Sequence, residues 1–224
     1  MLKQLSLETY YMKTFIPALK FEKLTGFYDK IMHLTMPEKA FKNALIEQAR
    51  IKSGDHILDF GCGTLTLSLM MKQQCLEAFI TGIDVDEKVL TIAENKRTDS
   101  GFEIRLDKYD GKFLPYSDET FDKVVSSLVF HHLTTVQKKQ AIREIYRILK
   151  PDGEIHIADW GKPSNLLMEA LFFFLRLFDG FENTSVNWKG ELLNYLTGNG
   201  FKYTIECKKY DTLFGTLRLL KARK

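Results

Sequence analysis

The sequence predicts an α/β fold in which one doubly wound, mostly parallel sheet carries helices on both faces. From about residue 55, short apolar runs alternate with amphipathic stretches, a pattern typical of right-handed βαβ units. A glycine pair, Gly61 and Gly63, follows the first apolar run. Near the end of the printed sequence, two apolar runs are joined by only Asp211-Thr212. So short a connection predicts an antiparallel pair.

Seven strands and three intervening helices follow from the apolar spacing. We expect strands at residues 56–60, 78–84, 102–106, 121–129, 154–159, 201–210 and 212–222. We expect helices between them at residues 64–74, 87–96 and 134–150. The sequence Lys150-Pro151-Asp152-Gly153 predicts the end of the third helix and a turn. The result is a seven-stranded, mostly parallel sheet with an antiparallel C-terminal strand.

The composition favours one globular domain over residues 1–224. Apolar residues make up 45% and charged residues 27% of the chain, which is ordinary for a folded protein. The net charge of +3 permits an anionic partner without predicting one. The three cysteines, Cys62, Cys75 and Cys207, have no paired spacing. They therefore predict reduced thiols and no metal site.

Within this domain we expect four parts. Residues 1–48 are aromatic-rich and have a helical pattern, which predicts an N-terminal cap. The ligand-binding core is expected at residues 49–160. It is followed by a substrate-side helical segment at residues 161–198 and by a β-hairpin at residues 199–224. The stretch 166–178 reads as a helix that is apolar nearly all round. It is either a buried helix, or a lid over an apolar substrate, or a surface that meets lipid or a partner.

Signals for export or membrane insertion are weak. Lys3, Glu8, Lys13 and Lys20 interrupt any apolar run at the start of the sequence, unlike a signal peptide. Residues 166–178 fall short of the roughly 20 apolar residues that span a bilayer. We therefore expect a cytoplasmic protein, for which contact with a membrane surface stays open.

The first predicted strand runs into Asp59-Phe60-Gly61-Cys62-Gly63-Thr64. Glycines in such a loop allow the backbone to approach a ligand closely, and in doubly wound sheets ligands bind at the carboxyl ends of the strands. A tight turn without any ligand is the alternative.

An acidic residue, Asp84, lies 21 positions after Gly63. That spacing suits a carboxylate that accepts hydrogen bonds from ribose hydroxyls. The alternative is a helix N-cap, a role that Asp84 or Asp86 could equally serve. Together with the glycine loop, Asp84 predicts a nucleoside-containing ligand. A dinucleotide fingerprint would need a third glycine where Thr66 stands, so NAD is disfavoured.

Four segments occur in an order and spacing that point to one family: HILDFGCGT, GIDVD, YDGKFLPYSDETFDKVVSSLVFHHL and RILKPDGEIHIAD. Over roughly residues 50–160 the chain resembles class I methyltransferases that use S-adenosyl-L-methionine (SAM) and have a Rossmann-like fold. It is most similar to the branch of ubiquinone/menaquinone C-methyltransferases and phospholipid or small-molecule N-methyltransferases.

The resemblance implies SAM as cofactor, S-adenosyl-L-homocysteine as product, and a set of cofactor-binding residues. Within that set the glycine loop lies beneath the methionine part, Asp84 holds the ribose, Asp110 with the Gly111 backbone meets the adenine, and Ser127 lies beside the methyl group. The implied residues are Tyr28, Asp59, Gly61, Cys62, Gly63, Asp84, Val85, Asp110, Gly111, Ser127 and Leu128.

One position departs from the family pattern. Leu65 stands where the family usually keeps a third glycine. We expect its side chain to lie near the methionine moiety, and we expect Leu65→Gly to be tolerated.

Two adjacent histidines, His131 and His132, follow the fourth strand on the active face. Either could act as a general base, since histidine titrates near neutral pH. Alternatively, one packs under the cofactor and the other caps the next helix. Methyl transfer needs a base only when the acceptor carries a proton that must leave early.

The expected activity is methyl transfer from SAM to a small, apolar or lipid-like acceptor. The acceptor pocket would be roofed by the N-terminal cap and the helix at 166–178. A nucleic-acid or protein methyltransferase, or a protein that binds SAM without turnover, are the alternatives. The chain lacks an Asn/Asp-Pro-Pro-Tyr motif, a Pro-Cys pair and a dense basic stripe, which disfavours nucleic acid. Nothing in the sequence predicts an oligomeric state.

Overall fold

The computed structural model describes residues 37–212 and 215–224. Tyr28 and most of the predicted N-terminal cap lie outside these residues. The described end of the cap is a helix, α1, Glu38–Ala49. It buries Phe41, Leu45 and Ile46 against the sheet.

The sheet has the predicted seven strands and the predicted directions. The strands are β1 His56–Phe60, β2 Phe79–Asp84, β3 Arg105–Lys108, β4 Phe121–Ser127, β5 Leu149–Trp160, β6 Lys202–Thr212 and β7 Gly215–Arg223. Their order across the sheet is β3-β2-β1-β4-β5-β7-β6. Strands β1 to β5 pair in parallel, whereas β7 is antiparallel to both β5 and β6. The doubly wound, Rossmann-like prediction is confirmed.

Helices cover both faces of the sheet. After α1 they are α2 Thr66–Gln74, α3 Glu87–Ser100, α4 Thr135–Ile148, α5 Leu166–Asp179, α6 Phe181–Lys189 and α7 Leu192–Gly198. One apolar core holds side chains of α1, α2 and Phe172 of α5. The other holds Ile142 and Ile145 of α4 and Leu196 of α7. Because both faces are covered, most residues of the central strands β1 and β4 are buried.

The sequence order of the strands reverses between β1 and β4, which lie side by side. The two chain segments that leave these strands diverge to opposite faces, and a crevice opens at their carboxyl ends. The glycine loop follows β1 at this point, and Ser127 ends β4. The topology therefore places the predicted ligand loop at the crevice.

Several boundaries differ from the prediction. Helix α2 starts at Thr66 instead of residue 64, and β4 ends at Ser127 instead of residue 129. Strand β3 is Arg105–Lys108, so it overlaps the predicted 102–106 by only two residues. The connection in the C-terminal hairpin is not Asp211-Thr212, because both belong to β6 and Thr212 pairs with Gly215.

The predicted turn at Lys150-Pro151-Asp152-Gly153 lies inside extended structure. Strand β5 begins at Leu149 and continues through these residues, with the pairing to β4 shifted between Phe121 and Lys123. Asp152 has a φ of 63°. The proline and glycine thus form an irregularity at the start of a strand. Proline is tolerated there because its missing N–H removes no hydrogen bond between the strands.

Helix α5 presents apolar side chains on both its buried and its exposed sides. Met168 and Phe172 are buried, and Phe172 packs against Trp160. Leu166 is 83% exposed, and Leu167 and Phe173 are also exposed. Within the described ranges, no helix is long and apolar enough to cross a membrane.

Candidate functional site

A cavity of about 410 Å³ opens at the carboxyl ends of β1, β2 and β4. Its volume lies within the range of small-molecule sites. Most of the predicted site residues share its wall. These are Asp59, Gly61, Cys62, Gly63, Asp84, Val85, Gly111, Ser127, Leu128 and His132.

The glycine loop has the conformation that the sequence predicts. Gly61 has a φ of 72°, and a Cβ there would lie 2.4 Å from Val129 Cγ2. Gly63 has a φ of 52°, and a Cβ there would meet nothing within 4 Å. Gly61 thus allows close packing onto the β4 turn, whereas Gly63 leaves open space beside the cavity.

Asp84 anchors the glycine loop through its carboxylate. Its Oδ2 accepts a hydrogen bond from the Gly63 N–H at 2.9 Å, and its Oδ1 accepts from the N–H groups of Val85 and Asp86. The N-cap of α3 is Asp86, whose Oδ1 accepts from the Lys88 N–H at 2.8 Å. The two acids therefore have different roles: Asp86 caps a helix, whereas Asp84 holds the glycine loop in place at the cavity wall.

Asp59 is a buried carboxyl beneath the loop. Its Oδ2 accepts a 2.6 Å hydrogen bond from Ser68 Oγ, and the residue is 1% exposed. Burial raises the pKa of Asp59 to about 6, although the Ser68 hydrogen bond and the charge of Lys42 act in the opposite direction. The carboxyl is therefore ionised at neutral pH but protonates in mild acid.

The end of β4 forms the wall on the other side of the loop. Leu128 adopts a φ of 59°, a strained conformation for a leucine, and its N–H donates to the Ala158 carbonyl at 2.8 Å. Ser127 Oγ is buried and makes no hydrogen bond within the described ranges. A strained backbone next to a hydroxyl without a partner is typical of a ligand site.

The two histidines have different surroundings. His132 lies in the cavity wall, whereas His131 is 4% exposed and its Nδ1 lies 2.7 Å from Asp159 Oδ1. Burial holds the pKa of His132 well below its usual range, and His131 and Lys138 add to this effect. His132 is therefore neutral at physiological pH.

Asp159 organises the turn that carries both histidines. Its carboxylate accepts hydrogen bonds from the N–H groups of Val129 at 3.1 Å, Phe130 at 2.6 Å and Trp160 at 2.7 Å. A buried carboxylate with this many donors is strongly held. It fixes the short 3₁₀ helix Phe130–His132 relative to β5.

Leu65 does not lie where we expected. It adopts the left-handed conformation, with a φ of 71°, as the N-cap of α2, but its side chain is 0% exposed and belongs to the apolar core. Leu65 is absent from the cavity wall. The prediction that it lies near the methionine moiety is wrong, because the tertiary packing turns the side chain inward.

Asp110 and His131 also lie outside the cavity wall. Asp110 Oδ1 accepts from the N–H groups of Lys112 and Phe113, which closes a turn after β3. Gly111 beside it does line the cavity. The adenine contact of Asp110 stays a prediction.

Several wall residues were not among the predicted site residues. They are Glu38, Lys42, Thr64, Thr66, Leu67, Asp86, Val89, Lys96, Tyr109, Val129, Leu133 and Gln137. Lys96 Nζ donates to Thr64 Oγ1 at 3.0 Å, across 32 residues of sequence. Such pairs are brought together by the crossover between β2 and β3 and leave no local signal in the sequence.

The raised pKa of Asp59 predicts pH-dependent cofactor binding. The affinity for SAM should fall roughly tenfold between pH 7 and pH 5, because the bound cationic ligand favours the ionised carboxylate and protonation near pH 6 competes with it. Calorimetric titrations across this range measure the effect.

Asp59→Asn should flatten that profile. The uncharged analogue 5′-methylthioadenosine should bind equally well at both pH values. An equal pH dependence for the two ligands would show that Asp59 does not sense the ligand's charge.

The fold and the site define a doubly wound α/β protein with a ligand-sized cavity at its switch point. The residues present fit SAM: Asp84 offers carboxylate oxygens, Gly63 leaves open space, and Ser127 Oγ is buried without a described partner. A family model described as "Methyltransferase domain" matches residues 57–153. The match covers every strand from β1 into β5.

Curated relatives give the family. The chain is 30% identical over 172 residues to a demethylmenaquinone methyltransferase from Symbiobacterium thermophilum, a match that covers 72% of this chain and 67% of that protein. It is 29% identical over 167 residues to the protein of the same name from Lactobacillus johnsonii, covering 72% and 68%. The chain belongs to the SAM-dependent methyltransferases and is an enzyme that uses SAM as its methyl donor.

Solved structures agree on the fold. A SAM-dependent methyltransferase from Methanosarcina mazei superimposes with a TM-score of 0.65 at 20% identity, covering 80% of this chain and 96% of that one. At this identity the likeness supports the fold alone.

Proposed function

We propose that this enzyme transfers the methyl group of SAM to a ring carbon of a small, apolar acceptor of the reduced quinone class. The observation that carries the proposal is the similarity to demethylmenaquinone methyltransferases over most of their length. The apolar side of the cavity, formed by Leu128, Val129 and Leu133, also suits such an acceptor.

The reaction is an in-line displacement. A bond forms between the acceptor carbon and the methyl carbon, the sulfur–methyl bond breaks with its electron pair going to sulfur, and the acceptor loses a proton. When bound, SAM supplies an activated methyl group on a cationic sulfur. The chain's own task is to hold the acceptor in line, which can supply much of the rate enhancement.

His132 is our candidate for the group that receives the acceptor's proton. Because it is neutral and lies in the cavity wall, its ring can accept a proton or a hydrogen bond. His131, turned toward Asp159, would position its neighbour; their ring centroids are 3.9 Å apart. In this role, His132→Gln slows methyl transfer and leaves the affinity for S-adenosyl-L-homocysteine unchanged. An equal loss of that affinity would make His132 a cofactor-binding residue instead.

A second groove suits the apolar tail of such an acceptor. It has a volume of about 290 Å³ and lies along α5 and α6. Its walls come from Leu166, Ala170, Phe173 and Trp188, together with the charged Glu169 and Arg176. No residue of 160–195 lines the main cavity within the described ranges. The roof formed by the N-terminal cap and α5 therefore stays a prediction.

The acceptor assay measures transfer of radiolabelled methyl from SAM. We expect transfer to a reduced 2-prenyl-1,4-naphthoquinone and none to tRNA or to bulk protein. Phe173→Ser should raise the KM several-fold for the prenylated acceptor and leave the KM for its tail-free analogue unchanged, because Phe173 is 47% exposed on the groove and outside the cavity. Transfer to RNA or protein with none to the quinol would overturn the proposed acceptor.

A further inference from the structure

Helix α1 carries two opposite charges into the cavity wall. Glu38 and Lys42 stand one helical turn apart, and Lys42 Nζ lies 2.6 Å from Glu38 Oε1. Their side chains are 32% and 11% exposed, respectively. Burying an ammonium group costs free energy unless the group has hydrogen-bond or charged partners. The cavity wall therefore stabilises charged groups at this point.

This charged pair and Asp84 belong to elements on different sides of β1. Helix α1 packs against β4, β5 and α2, whereas Asp84 ends β2 on the opposite side of β1. A ligand whose ribose lies on Asp84 and whose chain crosses the glycine loop therefore leads toward α1. The cavity thus has a hydroxyl-binding acid on one side and a pair of opposite charges on the other.

We propose that Lys42 and Glu38 bind the amino-acid end of SAM. Lys42 Nζ receives the α-carboxylate, and Glu38, with Asp59 nearby, receives the α-ammonium. The inference rests on the cofactor, which is established for the family, and not on the proposed acceptor.

Charge balance favours this arrangement. Glu38 and Asp59 are acids and Lys42 is a cation, so the three groups carry a net charge of about −1 at neutral pH. SAM carries a carboxylate, an ammonium and a sulfonium, with a net charge of about +1. Lys42 is paired with Glu38 and also acts on Asp59 electrostatically, so the cation lies between the two acids in charge balance.

The test compares ligands that differ only at the amino-acid end, by calorimetry and without any acceptor. SAM has both charged groups, decarboxylated SAM lacks the carboxylate, and 5′-methylthioadenosine lacks both. Lys42→Met should weaken SAM binding about tenfold or more, as expected for a charge-assisted hydrogen bond, and should not weaken the binding of decarboxylated SAM, which has no carboxylate for Lys42 to receive. Glu38→Gln should weaken both charged ligands several-fold and leave 5′-methylthioadenosine unchanged.

Three further variants separate this role from folding and from a rival lysine. Lys42→Arg keeps the charge and should restore most of the SAM affinity, and thermal unfolding checks that each variant is folded. Lys39→Met, on the exposed face of the same helix, should change no affinity. If Lys42→Met weakens all three ligands equally, or if Lys96→Met rather than Lys42→Met removes the preference for the carboxylate, the proposal is overturned.

Discussion

Asp84→Ala is expected to raise the Kd for S-adenosyl-L-homocysteine by roughly 10- to 100-fold. The half-buried carboxylate is the proposed acceptor for the ribose hydroxyls, and losing such a hydrogen-bond partner costs about 1–3 kcal/mol. It also accepts the Gly63 N–H at 2.9 Å, so the variant loosens the loop beneath the ligand. Calorimetry on the purified protein measures the change.

The matched control is Asp86→Ala, two residues away in the same wall. Asp86 caps α3 through the Lys88 N–H, so its loss should cost about 1 kcal/mol of stability and little affinity. Equal losses of affinity at the two positions would mean that the ribose contact is misplaced.

A pair of ligands separates direct contact from loop anchoring. Wild-type protein should prefer 5′-methylthioadenosine over its 2′,3′-dideoxy analogue, and Asp84→Ala should abolish that preference if the carboxylate touches the hydroxyls. If Asp84→Ala binds both ligands more weakly but still prefers the one with hydroxyl groups, the carboxylate acts only by anchoring the Gly63 N–H.

Leu65→Gly is expected to lower the free energy of unfolding by about 1–4 kcal/mol. Removing a fully buried leucine side chain costs about 2–5 kcal/mol, since Leu65 is 0% exposed within the core. Glycine relieves the left-handed backbone at φ 71°, which returns about 1 kcal/mol. Packing therefore outweighs strain, contrary to the tolerance that the family pattern suggested. Chemical denaturation measures the difference.

A second variant, Leu65→Ala, separates the packing contribution from the backbone strain. Alanine loses most of the packing but keeps the strained φ, so it should be about 1 kcal/mol less stable than the glycine variant. In both variants the affinity of the folded protein for S-adenosyl-L-homocysteine should stay within about twofold of wild type. A glycine variant as stable as wild type would show that the packing of Leu65 contributes no more stability than the backbone strain that glycine relieves.

The sequence alone predicted the sheet, its directions and the ligand loop. The spacing of apolar residues within each segment distinguishes strands from helices. The short hairpin connection allows only an antiparallel pair. Gly61, Gly63 and Asp84 could be assigned to one site because a doubly wound sheet brings the carboxyl ends of adjacent strands together. Each of these inferences uses residues that are close in sequence or lie at the ends of neighbouring strands.

Contacts between distant segments were decided only by the tertiary structure. Lys42 and Asp59 share one cavity wall, and His131 contacts Asp159. Both pairs arise because helices and turns pack over the sheet at particular angles, and no spacing in the sequence encodes those angles. Tertiary packing also decided the direction of the Leu65 side chain: the backbone adopts the left-handed conformation that favours glycine, but the side chain is buried in the core beside α2. Local patterns determine which elements form and where a loop can bind, whereas packing decides which side chains reach the ligand.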